Sequence, residues 1–203
     1  MLDSGNLVLA TQNSVYLWEC FNRPTDTILP TNTIGRLGKL VARYSETNYS
    51  NGRFQFSLQS VGNLMLQTID FPLDSANSNY WSCETVGSGF PVVFNQSGSI
   101  YVAAVNESIL KMISSNAGST QDFYTVILEY DGVFRHYVYP EGHNISNSTS
   151  WPLDWIPMSN FIPSNICSDI TEGTGGGACG FNSYCQLGDD QRPQFRKKKK
   201  KIL

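Results

Sequence analysis

The sequence predicts an all-β protein, and three observations carry that prediction. Short apolar runs alternate with polar residues at a period of two, turn residues separate these runs, and one glycine-led segment recurs along the chain. No segment combines an apolar period of 3.6 residues with helix caps at its ends. The protein is therefore expected to consist of hairpins that pack on a common core.

Two hairpins are predicted from this pattern. Apolar residues occupy every second position from Phe54 to Leu58, and the alternation resumes at Leu64 after the turn residues Ser60–Asn63. In the second hairpin, Asp131–Gly132 separates two β-branched and aromatic runs, which predicts a two-residue turn with positive φ at both positions.

A short repeat supports the same fold class. Gly5–Leu9 reads GNLVL, Gly62–Leu66 reads GNLML, and Gly98–Val102 reads GSIYV. Each copy begins with a turn glycine and continues as a strand with alternate apolar side chains. Repeated hairpin units predict a prism or barrel in which each unit buries one face against the others.

Composition excludes some partners. Hydrophobic residues make up 40% of the chain and charged residues 15%, which is enough apolar material for a core. Six of the 14 basic residues form one terminal run from Arg196 to Lys201, so the other eight face 17 acidic residues and give the body a formal charge of about −9. An acidic body predicts no nucleic-acid partner, and without a run of 18 apolar residues no membrane span is predicted.

Five Asn-x-Ser/Thr sequons indicate a secreted chain, because chance would supply one or two. The glycosylation candidates are Asn48, Asn95, Asn106, Asn144 and Asn147.

The cysteines point to the same compartment. Cys167, Cys179 and Cys185 cluster in a Gly-rich region, as in a small disulfide module. Zinc is disfavoured because the cluster has neither a Cys-x-x-Cys pair nor a nearby histidine, so no metal and no cofactor are expected. Cys20 and Cys83 lie outside the cluster and either pair with each other or stay free.

The two ends do not fit a complete secreted protein. Residues 1–6 lack the basic start and apolar core of a signal peptide. At the other end, Arg196 and five lysines follow directly on the cysteine cluster, as either a localisation tag or a truncated reading frame. Truncation at both ends is the favoured interpretation.

Several segments resemble one family. Leu17–Pro30 reads LWECFNRPTDTILP and resembles the end of a bulb-type (monocot mannose-binding) lectin domain in plant G-type lectin receptor-like serine/threonine kinases. The resemblance continues through Tyr44–Gly52 and Asp131–Pro140, and Cys179–Cys185 looks like the start of the EGF-like module that follows. It covers nearly the whole chain.

The resemblance implies an all-β fold of β-prism (bulb-type lectin) repeats followed by a truncated EGF-like disulfide module. The implied parts are a C-terminal remnant of a first lectin domain at 1–31, a linker at 32–44, a second lectin-like domain at 45–155, a truncated EGF-like module at 163–195 and an aberrant Lys-rich tail at 196–203.

The family's EGF-like pattern further implies a Cys167–Cys185 disulfide and an unpaired Cys179. The kinase of full-length relatives would lie outside this chain, which lacks the kinase motifs, so no catalytic residue is expected.

The family's mannose-site pattern, Gln-x-Asp-x-Asn-x-Val-x-Tyr, is degenerate here. Side chains at alternate strand positions point the same way, so these residue types can converge on sugar hydroxyls. The first copy keeps Asn6 and Val8, and the second keeps Gln59 and Asn63, while the third, starting at Asn95, departs at every position. None of the three has the carboxylate, so mannose binding is expected to be very weak or absent.

Other candidate sites are weaker. His136 and His143 could act as bases beside Asp131 or Glu141, but isolated histidines without a nucleophile motif are expected to be surface residues. Three tryptophans could stack on a sugar ring, although such residues more often fill a core or a seam: Trp81, Trp151 and Trp155.

The predicted function is the extracellular, carbohydrate-binding ligand-recognition region of a plant receptor-like kinase, on the outer surface of the cell. The expected partners are a weakly bound glycan or glycoprotein and other receptor ectodomains. The alternatives are a lectin-fold protein-interaction module and a non-functional gene fragment, both without sugar binding.

Overall fold

The structure is a computed structural model, and it describes residues 1–70, 75–115, 122–140, 154–158, 161–168, 178–179 and 183–197. Its strands are β1 Val8–Ala10, β2 Tyr16–Glu19, β3 Thr27–Ile28, β4 Thr33–Ile34, β5 Lys39–Arg43, β6 Asn51–Leu58, β7 Leu64–Asp70, β8 Ser75–Ser82, β9 Val92–Phe94, β10 Ile100–Ala103, β11 Ile109–Ser114, β12 Phe123–Leu128, β13 Phe134–Tyr139, β14 Ile156–Pro157, β15 Ser183–Leu187 and β16 Pro193–Lys197. A short 3₁₀ helix covers Cys20–Asn22.

Three four-stranded antiparallel sheets form the body of the molecule. Sheet I has the order β5-β6-β7-β8, sheet II the order β11-β10-β9-β4, and sheet III the order β14-β13-β12-β3. The described residues contain no α-helix. The all-β prediction is confirmed, and three sheets around one core form the predicted β-prism.

The core lies where the inner faces of the three sheets meet. Phe54 and Phe56 of β6 are 1% exposed, and Phe94 of β9 is fully buried. The ring of Phe56 stacks on Phe134 of sheet III with centroids 4.6 Å apart. Period-two patterns place one face of each strand in this core because alternate side chains point to opposite faces.

Residues 32–44 do not form the predicted linker. They contain β4, which pairs with β9, and β5, which pairs with β6. Leu40 and Ala42 of β5 are fully buried in the core. Together with β3, these short strands give each sheet one strand from residues 27–43. The prism in the structure therefore begins before residue 45, and β14 extends it past 155.

One turn geometry recurs in the hairpins. In the β6–β7 hairpin, Gln59 N–H donates to the Asn63 carbonyl at 2.9 Å, Gly62 N–H donates to the Gln59 carbonyl at 2.9 Å, and Gly62 has φ of +79°. This is a three-residue loop that ends in a left-handed residue, which favours glycine. The turn predicted at Ser60–Asn63 is confirmed.

The same pair of bonds closes the β12–β13 hairpin between Glu129 and Val133, with Gly132 at φ of +82°. Asp131 is not among the residues with positive φ, so the predicted two-residue turn at Asp131–Gly132 is wrong. A three-residue loop needs only its last residue in the left-handed region, which is why the preceding aspartate is tolerated.

Strands β1 and β2 form a separate two-stranded sheet. Its register, with Leu9 opposite Trp18 and a bulge after Leu9, matches that of β7 and β8, where Leu66 lies opposite Trp81 and a bulge follows. Leu66 is fully buried, whereas Leu9 is 60% exposed. The β1–β2 hairpin therefore corresponds to β7 and β8 of sheet I, and its sheet has no counterparts of β5 and β6 among the described residues.

Candidate functional site

Asn6 and Asn63, the asparagines of the degenerate mannose pattern, are buried. The Asn63 Oδ1 accepts from Thr85 N–H at 3.1 Å and from Ser82 Oγ at 3.2 Å. In the β1–β2 hairpin, the Asn6 Oδ1 accepts from Phe21 N–H at 3.3 Å, which is a similar contact. Both side chains therefore hold the loop that follows the hairpin.

Val8 lies half-buried on β1, away from the three sheets. Gln59, by contrast, lines an open groove of about 430 Å³ on the outer face of sheet I. The structure thus places the four predicted sugar-site residues in two hairpins, and Gln59 is the one of them that lines this groove.

The groove crosses all four strands of sheet I. Its lining residues are Leu37, Lys39, Gln55, Ser57, Leu58, Gln59, Ser60, Val61, Gln67 and Ala76. In the register of the sheet, Lys39 lies opposite Ser57 and Gln55 lies opposite Gln67. Directly opposite side chains on one face are close neighbours, so these polar groups form one patch.

Ser57 gives the groove an unsatisfied polar atom. The residue is 8% exposed, and its Oγ has no hydrogen-bond partner among the described residues. Buried hydroxyls without partners are uncommon, because losing water without a replacement bond costs free energy. At the rim, Val61 is 50% exposed and Leu37 is 76% exposed. A polar floor with apolar edges can accept a molecule that has both hydroxyls and C–H faces.

A fourth copy of the pattern occurs in the β12–β13 hairpin. Because Gly132 takes the turn position of Gly62, the pattern's first, third and ninth positions fall on Glu129, Asp131 and Tyr137. The sequence pattern alone indicates three copies, and the shared glycine turn identifies this one. It has the carboxylate that the other copies lack.

This fourth copy is closed by its own contacts. Both oxygens of Asp131 accept from Arg135 at 2.8 Å, and the side chains are 3% and 4% exposed. Tyr137 donates to Glu129 at 2.6 Å, and Glu129 also pairs with Arg43 at 3.0 Å. Burial and the hydrogen bond to Glu129 raise the pKa of Tyr137. The carboxylates of this copy are therefore engaged with the protein itself.

The C-terminal segment packs over this hairpin. Phe161 lies under the Arg135 guanidinium, 5.5 Å from it, and Arg192 is 3.8 Å from Asp131. Ile166 is 1% exposed and belongs to the prism core. On β6, Arg53 has its guanidinium 4.9 Å from the ring centroid of Phe54 and 5.7 Å from that of Phe195, and it donates to the carbonyls of Ala178 and Cys179.

His136 is buried, so its predicted surface position is wrong. It is 1% exposed, lies beside the rings of Phe94 and Tyr124, and its Nδ1 is 3.0 Å from Ser114 Oγ. Burial lowers the pKa of His136 from 6.5 to about 4, so the ring is neutral at physiological pH. Ser114 is also buried, at 3% exposed, which leaves a substrate no access to the pair. His143 lies outside the described residues.

A disulfide joins Cys167 and Cys185, as the EGF-like resemblance implies, and Cys179 is a free thiol. Cys20 and Cys83 are also free and occupy equivalent places, since Cys20 N–H donates to the Leu7 carbonyl and Cys83 N–H to the Leu64 carbonyl. Of the two alternatives for this pair, the structure has free thiols.

Three of the five sequons lie in described residues and share one geometry. The Oδ1 of Asn48 accepts from Ser50 Oγ at 2.8 Å, that of Asn95 from Ser97 Oγ at 2.9 Å, and that of Asn106 from Ser108 Oγ at 2.7 Å. Asn48 and Asn106 are exposed and Asn95 is half-buried. Asn144 and Asn147 lie outside the described residues.

The tryptophans do not line the groove. Trp81 packs against the core, Trp155 is 46% exposed with its ring 5.7 Å from Tyr139, and Trp151 lies outside the described residues.

Within the described residues, no group of three or more His, Cys, Asp or Glu side chains is placed to hold a metal ion. That part of the chain also has no helix long and apolar enough to cross a membrane.

Comparison with known proteins shows which proteins the chain is similar to. No protein-family model matches the chain. It is 42% identical over 188 residues to the G-type lectin S-receptor-like serine/threonine-protein kinase LECRK3 of Oryza sativa subsp. indica, which covers 92% of this chain and 23% of that protein. The similarly named RLK1 of Arabidopsis thaliana is 31% identical over 205 residues, covering 95% of this chain and 23% of that protein.

The chain is homologous to the G-type lectin S-receptor-like serine/threonine-protein kinases. It spans about a quarter of the length of these G-type lectin relatives. Among solved structures, the mannose-specific agglutinin from snowdrop (Galanthus nivalis) bulbs, complexed with methyl-α-D-mannoside, is 18% identical with a TM-score of 0.42, covering 62% of this chain and 99% of that one. Polygonatum cyrtonema lectin, complexed with monomannoside, is 16% identical with a TM-score of 0.43 and the same coverage.

Proposed function

We propose that the chain is the extracellular sugar-recognition region of a plant receptor-like kinase, and that the groove on sheet I is its binding site. The observation that supports the site best is Ser57, which lines the groove and whose buried Oγ has no hydrogen-bond partner among the described residues. A bound hydroxyl would supply the missing partner. The glutamine amides at positions 55, 59 and 67 can each donate to and accept from further hydroxyls.

The extracellular location rests on the sequons and on the Cys167–Cys185 disulfide. Disulfides persist in oxidising compartments. In each described sequon the asparagine carbonyl is held by the hydroxyl two residues on, so we propose glycans at Asn48, Asn95 and Asn106. Signalling through a kinase is proposed from the names of the relatives, because this chain covers only 23% of their length.

The domain organisation is part of the proposal. Strands β1 and β2 belong to a first lectin-like unit within residues 1–31, since they repeat the register of β7 and β8, whereas β3 at Thr27–Ile28 already pairs with β12 in sheet III of the second unit. The disulfide-linked segment within 163–195 is an EGF-like module that packs on the end of the second domain through Ile166 and Phe195.

The groove lacks part of the residue set with which the family pattern binds mannose. The carboxylate position of the pattern holds Val61, and Asn63 is engaged with the protein itself. Neutral hydrogen bonds contribute about 0.5–1.5 kcal/mol each, whereas those to a charged group contribute about 1.5–3 kcal/mol. We therefore expect methyl-α-mannoside to bind more weakly than about 1 mM, which corresponds to about 4 kcal/mol.

A glycan array with the whole chain, followed by calorimetry on the best ligand, tests the proposed function. Gln59→Ala and Gln67→Ala should each weaken binding at least threefold, while Gln96→Ala on the exposed β9–β10 turn is the matched control. If no glycan binds, or if the Gln59 and Gln67 variants bind as the unmodified chain does, the groove is not a sugar site.

A protein-interaction module is the second candidate. The observation that favours it is one apolar face of the β1–β2 hairpin, where Leu9 lies opposite Trp18 and the two are 60% and 40% exposed. Exposed apolar patches mark interaction sites. Retention of a partner ectodomain that is lost in Leu9→Ser, with no glycan bound on the array, would favour this role over sugar recognition.

A further inference from the structure

The charge of the groove differs from that of the mannose pattern. Lys39 is the one ionisable side chain among the residues that line it. Lys39 is exposed and takes part in no ion pair with a described residue. Where the pattern places an aspartate, the chain has the uncharged Val61, so the groove lacks the pattern's negative charge and its lining has the positive charge of Lys39 instead.

Lys39 is placed to act together with the unsatisfied hydroxyl. It lies directly opposite Ser57 on the neighbouring strand, and Ser57 in turn lies opposite Met65 on β7. Gln55 and Gln67 lie opposite each other two residues further along β6 and β7, on the same face of the sheet. A ligand that spans the groove would meet an ammonium group at one strand and hydroxyl and amide groups at the next two.

We propose that this groove binds a saccharide that carries a carboxylate, a uronic acid or an oligouronide, with the carboxylate at Lys39. The inference rests on the proposed function, since it names the class of sugar for the same groove. An ammonium group is a compact point charge that pairs with a carboxylate without demanding a planar, bidentate approach. Ser57 and the glutamines then take the ring hydroxyls, for which their donors and acceptors are suited.

The acidic body of the chain does not prevent this pairing. At physiological ionic strength the screening length is about 8 Å, so carboxylates on the other sheets contribute little at the groove. The lining itself contains no acidic residue. A neutral sugar would leave the charge of Lys39 unused and gain only neutral hydrogen bonds.

Calorimetry on the whole chain can test the charge preference directly. The probes are trigalacturonate and its methyl ester, which has the same rings without the charge. The acid should bind about three- to tenfold more tightly than the ester at 0.15 M salt, the range expected for a partly exposed ion pair with hydrogen bonds. The ratio should rise when the salt is lowered.

Two variants and one control isolate the groove. Lys39→Gln should bring the acid to the affinity of the ester, and Val61→Asp should lower the affinity for the acid while leaving that for the ester unchanged. Lys111→Gln, at an exposed lysine of β11 in sheet II, should leave the ratio as it is. Thermal unfolding of each variant checks that the fold is intact.

Equal affinities for acid and ester in the unmodified chain would overturn the charge preference while leaving sugar binding in place. A preference for the acid that survives Lys39→Gln would also overturn it, because a residue other than Lys39 would then bind the carboxylate of the ligand. If the chain binds neither probe nor any neutral glycan, the proposed function itself fails.

Discussion

The β6–β7 and β12–β13 hairpins have the same turn, but the polar side chains of the first line an open groove and those of the second bond to other side chains. Each closes through a three-residue loop that ends in a left-handed glycine, Gly62 or Gly132. On β6–β7, polar side chains face an open groove, and Ser57 Oγ lacks a partner among the described residues. On β12–β13, Asp131, Glu129 and Tyr137 are satisfied by neighbouring side chains.

This difference separates binding capacity from stability. A groove keeps its hydrogen-bonding capacity for a ligand only when the protein leaves that capacity unused, as at Ser57. Where arginines satisfy the carboxylates, the same scaffold holds two parts of the chain together. Whether a copy of the pattern forms an open groove or a closed cluster is decided by the side chains around it, not by the residue types of the pattern itself.

Breaking the closed hairpin should have the largest effect. Asp131→Asn leaves the Arg135 guanidinium, 4% exposed at its side chain, without its paired charge, so we expect a loss of about 3–5 kcal/mol in the free energy of unfolding. Chemical denaturation measures it. The matched change in the open hairpin, Gln59→Ala, should alter stability by less than about 0.5 kcal/mol.

Equal losses in the Asp131 and Gln59 variants would contradict the distinction between the two hairpins. The double variant Asp131→Asn with Arg135→Leu adds a check, because removing both charges should recover part of the stability that the single change loses.

A pH titration sharpens the comparison through His136 on β13. Its pKa of about 4 in the folded chain lies below its ordinary value of 6.5, so the unfolded chain takes up this proton first. Stability should therefore fall as the pH drops from about 6.5 to 4, by about 2–3 kcal/mol. The ring faces Ser114, Phe94 and Tyr124, none of which changes charge in that window. His136→Gln should flatten this part of the profile, and an unchanged slope would mean that other groups produce it.

A smaller loss of stability than at Asp131 is expected at Asn63, on the open hairpin. Asn63→Ala removes the acceptor of the buried Thr85 N–H and should cost about 1–3 kcal/mol. Since its side chain faces the following loop, affinity per folded molecule for a groove ligand should stay within about twofold. An affinity loss much larger than that of Gln59→Ala, at full stability, would restore Asn63 as a sugar ligand.

Much of the prism follows from local pattern. Alternation from Phe54 to Leu66 gave the faces of sheet I, and the glycines gave the turns. Within 32–44, β4 has two residues and β5 has five, too few alternate apolar positions to show a period, so the sequence predicted a linker there.

The candidate site was harder to predict. Gln59 could be named from the pattern, but Ser57 precedes the pattern on β6, and Lys39 of β5 lies beside Ser57 only through the register of the sheet. Likewise, nothing in the spacing of Asp131 and Arg135 shows that their side chains close on each other, because on a strand residues four apart share a face without touching unless the chain bends at a turn.

The β1–β2 hairpin has a practical consequence for handling this chain. A two-stranded sheet with exposed leucines is marginal in water on its own, and its unpaired backbone edges template further strands. Copies at high concentration will pair edge to edge there long before the prism unfolds. Turbidity that grows with concentration while the Phe56–Phe134 core stays intact is the signature of such aggregation, and a lysine in place of Leu17 would suppress it.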